Sequence, residues 1–257
     1  MGYPISPNPD FRPPRPRKSK LPLVVALVAG ALALLCVVGA VAAVWLRGTR
    51  SHERQAEAAA ATSAQQPTAE VAAQDPTLAT VGKPEAAVTL DVYEDFMCPA
   101  CAEFEETDGE QIAKAVDDGK LRVRFHMLNF LDRSSASKDY SSRAAGAALA
   151  VFQKAPEKFL DFHAKLFSEG TQPEEMGASD LSNDQLAKVA EGVGAGAAAA
   201  DIRSGADVKA AVGAAKAATA ELGKLTNGRV MTPTVLKDGT PVDRAHDQQW
   251  LDHLFGQ

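Results

Sequence analysis

Two cysteines three positions apart, in Cys98-Pro99-Ala100-Cys101, are the residues of this chain best suited to chemistry. When the first thiol of such a pair caps a helix and the second lies one turn in, the sulfurs come within disulfide reach. A sulfur at a helix start faces unpaired backbone N–H groups and the positive end of the helix dipole, and both favour its thiolate. The spacing therefore predicts an asymmetric pair. Cys98 exchanges with outside thiols, while Cys101 is more buried, keeps the higher pKa and resolves the mixed disulfide. Other uses of the pair compete. Zinc would need four ligands, but there is no second pair, and His126, His163, His246 and His253 show no ligand spacing. A purely structural disulfide would close too short a loop to gain much entropy. Buried free thiols suit the cytoplasm rather than an oxidising compartment. No metal is expected, and no cofactor beyond the redox-active Cys98–Cys101 disulfide.

The elements that must hold this pair are legible on both sides. Val88, Leu90 and Val92 alternate with Thr89 and Asp91, a strand pattern. Pro99 suits the first position of a helix. Cys101, Phe104, Ile112, Ala115 and Val116 continue its apolar stripe, with Asp108 as a gap, and Gly119 suits its stop. Leu121, Val123, Phe125 and Met127 alternate again, so a βαβ unit with parallel strands is predicted. A helical block follows. Tyr140, Ala144, Ala148 and Val151 mark one helix, and Phe159, Phe162 and Leu166 mark another that Pro156 opens. Ser182 with Gln185 reads as a capping box, stapled by Leu181 and Leu186, on a helix ending near Gly192. The Ala/Gly-rich stretch 194–223 reads as helix on Ile202, Val208, Val212 and Leu222 alone. Residues 232–242 predict a hairpin about Asp238-Gly239, and a last helix is expected over about 247–254.

The order βαβ, helices, ββα is the thioredoxin layout once the helical block is set aside. Tyr93-Glu94-Asp95-Phe96-Met97-Cys98-Pro99-Ala100-Cys101, with Met231-Thr232-Pro233-Thr234 downstream, resembles the DsbA-like branch of the thioredoxin superfamily. It is similar in particular to the membrane-anchored, extracytoplasmic members of actinobacteria and other Gram-positive bacteria. The resemblance covers about residues 80–257. It implies an α/β thioredoxin-like fold with a helical insertion at about 133–225, Cys98 as nucleophile and Cys101 as resolving thiol. It also implies a cis Pro233 opposite the pair, with the Thr232 backbone turned toward the sulfurs to pair with an extended substrate. Two positions depart from the family. Many members carry a buried acid six residues before the first Cys, where this chain has Val92. A carboxylate assisting proton transfer would then be Glu94 or Asp95, which read equally well as loop solvation or capping. Ala100 replaces the His found in strongly oxidising members and leaves the direction of exchange open.

The rest of the chain supplies an address. With 46% hydrophobic and 23% charged residues, it is not wholly disordered. Of its 27 basic and 33 acidic side chains, eight and five precede Val81, leaving 19 and 28 after it. A part this acidic is ill suited to nucleic acid, whose binding rests on Lys and Arg. Residues 1–20 are Pro-rich and basic. Leu23 to Leu46 is free of charge over 24 residues; as a helix it would extend roughly 36 Å, enough to cross a hydrocarbon core of about 30 Å with some tilt. A cleaved signal peptide would have a shorter apolar run, and Leu35 before Cys36 argues against lipidation. The five basic residues before the run predict a cytoplasmic N-terminus and an extracytoplasmic remainder. We therefore expect a basic tail (1–20), an anchor (21–47) contacting lipid through residues 23–46, a tether (48–79) and a catalytic domain (80–257). The expected activity is oxidation of thiols in secreted or cell-envelope proteins. A reductase or isomerase on the same fold, or a redox-silent tethered binding module, are the alternatives. In the family, recycling falls to a membrane protein resembling vitamin K epoxide reductase homologues or DsbB.

Overall fold

Strand β2 (Val88–Glu94) runs into helix α1 (Pro99–Asp117), and β3 (Leu121–Met127) returns beside β2. The two strands are parallel, in register from Val88 opposite Leu121 to Glu94 opposite Met127. This is the predicted βαβ unit. The computed structural model describes residue 75 and residues 77–247 and 249–256. The basic tail, the expected anchor over 23–46 and most of the tether lie outside these residues. Among the described residues no helix is long and apolar enough to cross a membrane.

Five strands of the described residues form one sheet, in the order β1 (Ala79–Val81), β3, β2, β4 (Thr234–Lys237) and β5 (Thr240–Pro241). β4 (Thr234–Lys237) lies antiparallel to β2, so β2 is flanked on both sides and its residues are almost all buried. Asp238 (φ 52°) and Gly239 (φ 75°) turn β4 into the two-residue β5 (Thr240–Pro241). Positive φ at both central residues is what a type I′ hairpin requires. Pro241, which lacks an N–H, sits where it can do least harm, on the sheet edge. β1 (Ala79–Val81) pairs antiparallel with β3 and was not predicted. Three residues are too few to show alternation, and they straddle the expected end of the tether.

The insertion comprises α2 (Tyr140–Lys154), α3 (Phe159–Phe167), α4 (Asn183–Gly192), α5 (Ala199–Ser204) and α6 (Val208–Leu225). The capping box is present: Ser182 Oγ accepts from Gln185 N, and Gln185 Oε1 accepts from Ser182 N at 2.9 Å. The weakly patterned stretch is helical but broken, because Gly205 adopts φ 69° and ends α5 before α6 begins. α2 is buried along most of its length and packs against α6. At their crossing, a Cβ on Gly146 would stand 2.9 Å from the backbone of Val208.

The chain ends on α7 (Trp250–Leu254), shorter than the helix predicted. Asp108, the gap in the α1 stripe, explains how it is held. Buried on α1, it accepts from Arg244 Nη2 at 2.6 Å and from Trp250 Nε1 at 3.2 Å. The Arg244 guanidinium also lies 4.0 Å over the Phe104 ring. A carboxylate on an apolar face is thus a tie between the first and last helices of the domain.

Candidate functional site

β2 delivers the chain to a tight loop, Asp95-Phe96-Met97, from which α1 springs. Asp95 organises that loop. Its Oδ1 accepts from Met97 N at 3.0 Å and Ser141 Oγ at 2.6 Å, and its Oδ2 accepts from Leu131 N at 3.1 Å. Its backbone carbonyl accepts from Cys98 N. Burial raises the Asp95 pKa to about 6, against the lowering effect of those same donors. Asp95 is buried rather than solvated, and its carboxylate caps no N–H of the helix itself. The carboxylate joins the loop, the segment after β3 and α2.

Cys98 is the N-cap of α1, and Pro99 opens the helix. Cys98 is 8% exposed and Cys101, one turn in, is 0% exposed. The asymmetry expected of the pair follows. Cys98 is lowered to about 6, first by the hydrogen bond from the Cys101 thiol, and this outweighs burial. The backbone N–H groups of Cys101 and Ala100 add to the effect. Cys101 is pushed far up by burial, by its bond to Cys98 and by the charge on Glu94. The Thr232–Pro233 bond is cis, and Thr232 O lies 3.5 Å from Cys98 Sγ. The downstream segment therefore meets the thiol directly.

Glu94, the last residue of β2, is neither solvated nor a cap, and both of those readings are corrected here. It is 3% exposed, and its Oε2 lies 3.1 Å from Nε2 of His163, a residue of α3 that is 1% exposed. The other ring nitrogen, Nδ1, lies 3.5 Å from Oε2 of Glu105, one turn beyond Cys101 on α1. Burial and Glu105 raise the Glu94 pKa, partly offset by His163. Burial alone would discharge His163, but Glu105 and Glu94 outweigh it and keep the ring protonated. Ligating atoms of the three residues lie within 4.8 Å of one another. His163 brings a different ring nitrogen near each carboxylate, while its Nε2 and both Glu94 oxygens are buried without a hydrogen bond of good geometry.

Sequence reasoning missed His163 and Glu105. The signal available was a polar ring inside the apolar stripe Phe159, Phe162, Leu166. It also missed Gln172, which follows α3 and donates from Nε2 to Cys98 O at 3.0 Å and Phe96 O at 3.3 Å. Val92, where many members carry an acid, is fully buried among apolar residues. A cavity of about 130 Å³ between β3, α2 and α6 is lined by neither cysteine.

Three comparisons bear on this arrangement. Residues 74–255 match the family model described as Thioredoxin. The serine/threonine-protein kinase PknE of Mycobacterium tuberculosis is 39% identical over 178 residues, which is 68% of this chain and 31% of that protein. The chain thus spans about a third of the length of that curated relative. Among solved structures, the thiol-disulfide oxidoreductase MdbA of Corynebacterium diphtheriae superposes with a TM-score of 0.59 at 29% identity, over 69% of this chain and 89% of that one. The reduced DsbA of Mycobacterium tuberculosis gives 0.53 at 33% identity, over 64% and 84%.

Proposed function

For a chain that belongs to the thioredoxin family, among its DsbA-like thiol:disulfide oxidoreductases, we propose that Cys98 and Cys101 oxidise thiols of secreted or cell-envelope proteins. A substrate thiolate attacks Cys98 Sγ of the enzyme disulfide. The Cys98–Cys101 bond breaks, and Cys101 leaves and takes up a proton. The second substrate thiolate then attacks the substrate sulfur of the mixed disulfide, and Cys98 leaves as thiolate. The substrate loses two electrons and gains a disulfide, and the enzyme pair gains the two electrons. Glu94 is the group we assign to give Cys101 its proton, because it is a buried carboxyl at the end of the strand leading to the pair, and its charge raises the Cys101 pKa.

The observation that carries the oxidising direction is the seat of Cys98 at the N-cap of α1, beside the Cys101 thiol, which lowers its pKa. Stabilising the thiolate stabilises the reduced enzyme, which makes the disulfide a better oxidant. Ala100 favours the second reading, a reductase or isomerase, because it supplies no cation between the cysteines. Equilibration with glutathione decides between them. An oxidase should poise well above the value of about −270 mV for thioredoxin and toward the value of about −120 mV for a strong oxidant. A potential at or below that of thioredoxin would make the chain a reductase.

We place the domain outside the membrane, on residues 23–46 as an uncleaved anchor and 48–79 as a tether, with a membrane reoxidant of the vitamin K epoxide reductase or DsbB kind as partner. The charge-free run and its basic flank support this reading. Protease added to intact protoplasts should degrade residues 80–257 and spare the N-terminal tail. A soluble mature protein starting after residue 40 would overturn the anchor.

A further inference from the structure

We propose that His163 and Glu105 are positioning residues for the exchange reaction, opposed levers that together tune how readily Glu94 gives its proton to Cys101. The inference rests on the oxidoreductase reading above and adds to it two residues from outside the cysteine motif.

The geometry is that of a buried ion cluster, a bridge of close contacts in which His163 Nε2 and both Glu94 oxygens make no aligned hydrogen bond. One imidazole nitrogen faces Glu94 at 3.1 Å and the other faces Glu105 at 3.5 Å. The ring is walled by Phe96, Phe125, Phe159 and Phe167, with centroids 4.5 to 5.6 Å away. A site with such walls would accept an apolar side chain at lower cost, since a buried ion group often stabilises less than an apolar replacement. The bridge therefore calls for an explanation other than packing, and its position gives one. Glu94 ends the strand that leads to Cys98, Glu105 lies one turn past Cys101, and His163 arrives from the insertion. The titratable groups that face Glu94 are Cys98, Cys101 and Glu105 from α1 and its cap, and His163 from α3. Those facing His163 are the two carboxylates. Once Glu94 has given up its proton, two carboxylates and one imidazolium leave a surplus negative charge beside the thiols. That charge resists the arrival of a thiolate unless a proton comes with it.

The two levers have opposite signs. His163 favours the charged form of Glu94, and Glu105 disfavours it. As donor to Cys101, Glu94 must be protonated, so oxidation of a dithiol peptide should fall at the alkaline side as Glu94 ionises. The rising limb belongs to the peptide thiols and is common to all variants. In single-turnover measurements on the full chain, His163→Gln should move the falling limb to higher pH and Glu105→Gln to lower pH, each by about one pH unit. Glu94→Gln should remove it. A merely structural role would lower the rate at every pH and leave the limb in place. If His163→Gln fails to fold, the nearly isosteric Glu105→Gln alone decides, since only the lever predicts an acid shift. Limbs that stay put, or that move in the same direction, would overturn the proposal. The function itself is read separately, in Cys101→Ser mixed with a disulfide-bonded peptide, where the Cys98 thiolate attacks the peptide disulfide and one peptide sulfur leaves as thiolate. If mixed disulfides accumulate on Cys98 there and the limbs do not move, only the lever falls. If none accumulate, the oxidoreductase reading falls and takes the lever with it.

Discussion

Cys98 owes its low pKa first to the thiol of Cys101, so the two cysteines are not independent. Cys101→Ala removes that donor and should raise the alkylation midpoint of Cys98 from about 6 by about one to two pH units. Cys101→Ser, which keeps a donor, should retain most of the depression. Rates of iodoacetamide alkylation against pH check both, and equal midpoints in the two variants would contradict the assignment. Asp95 makes a different test. Its native pKa, about 6, exceeds the unfolded value of about 3.9. The native state therefore binds more protons through that window, and stability falls as pH rises across it. The fall is up to about 3 kcal/mol. Urea melts of wild type and Asp95→Asn at a series of pH values should show this slope only in the wild type, whatever constant offset the substitution adds. The cysteine pair was legible because helix capping is a matter of neighbours in sequence. Glu94, Glu105 and His163 were not legible as a group, because β2, α1 and α3 meet only in the folded chain.

Elements place the site through a few close approaches. Gln172 comes from beyond α3 to hold two carbonyls of the active-site loop. Gln172→Ala should cost roughly 1–2 kcal/mol and slow exchange at Cys98 more than its stability loss accounts for, as a melt and a peptide oxidation assay on one sample will show. Gly146 is where α2 and α6 touch, and the nearest atoms to an added Cβ, at 2.9 Å, are backbone atoms of Val208, with its Cγ2 at 3.0 Å. Gly146→Ala gains helix propensity but should be destabilising overall, by about 1–3 kcal/mol. Unchanged or higher thermal stability would show that the crossing can relax. The helices that were read correctly, α2, α3 and α4, carry large apolar residues or a capping box. The break between α5 and α6 was hidden in a run of small side chains, and β1 is shorter than any pattern. Asp108 misled as an interruption of its helix because its partners, Arg244 and Trp250, lie more than a hundred residues downstream.

At the scale of the molecule, the domain is a sheet and two kinds of helix, those that carry the chemistry and those that cover it. Asp108→Ala would strip the carboxylate from a half-buried guanidinium and a buried indole at once, and should cost about 2–3 kcal/mol. Denaturant unfolding followed by Trp fluorescence should then show α7 parting before the rest. The covering block has a composition of its own. Ala144, Ala145, Ala147, Ala148, Ala150, Ala187, Ala190, Ala198, Ala211 and Ala215 are all buried there. A methyl group fills space closely but brings little hydrocarbon out of water, and the heat capacity of unfolding follows hydrocarbon exposure. Calorimetry should therefore return a heat-capacity increment below the usual figure of about 12–15 cal/mol/K per residue. The stability curve would be correspondingly shallow, so the domain would lose little of its margin between a cold environment and a warm one.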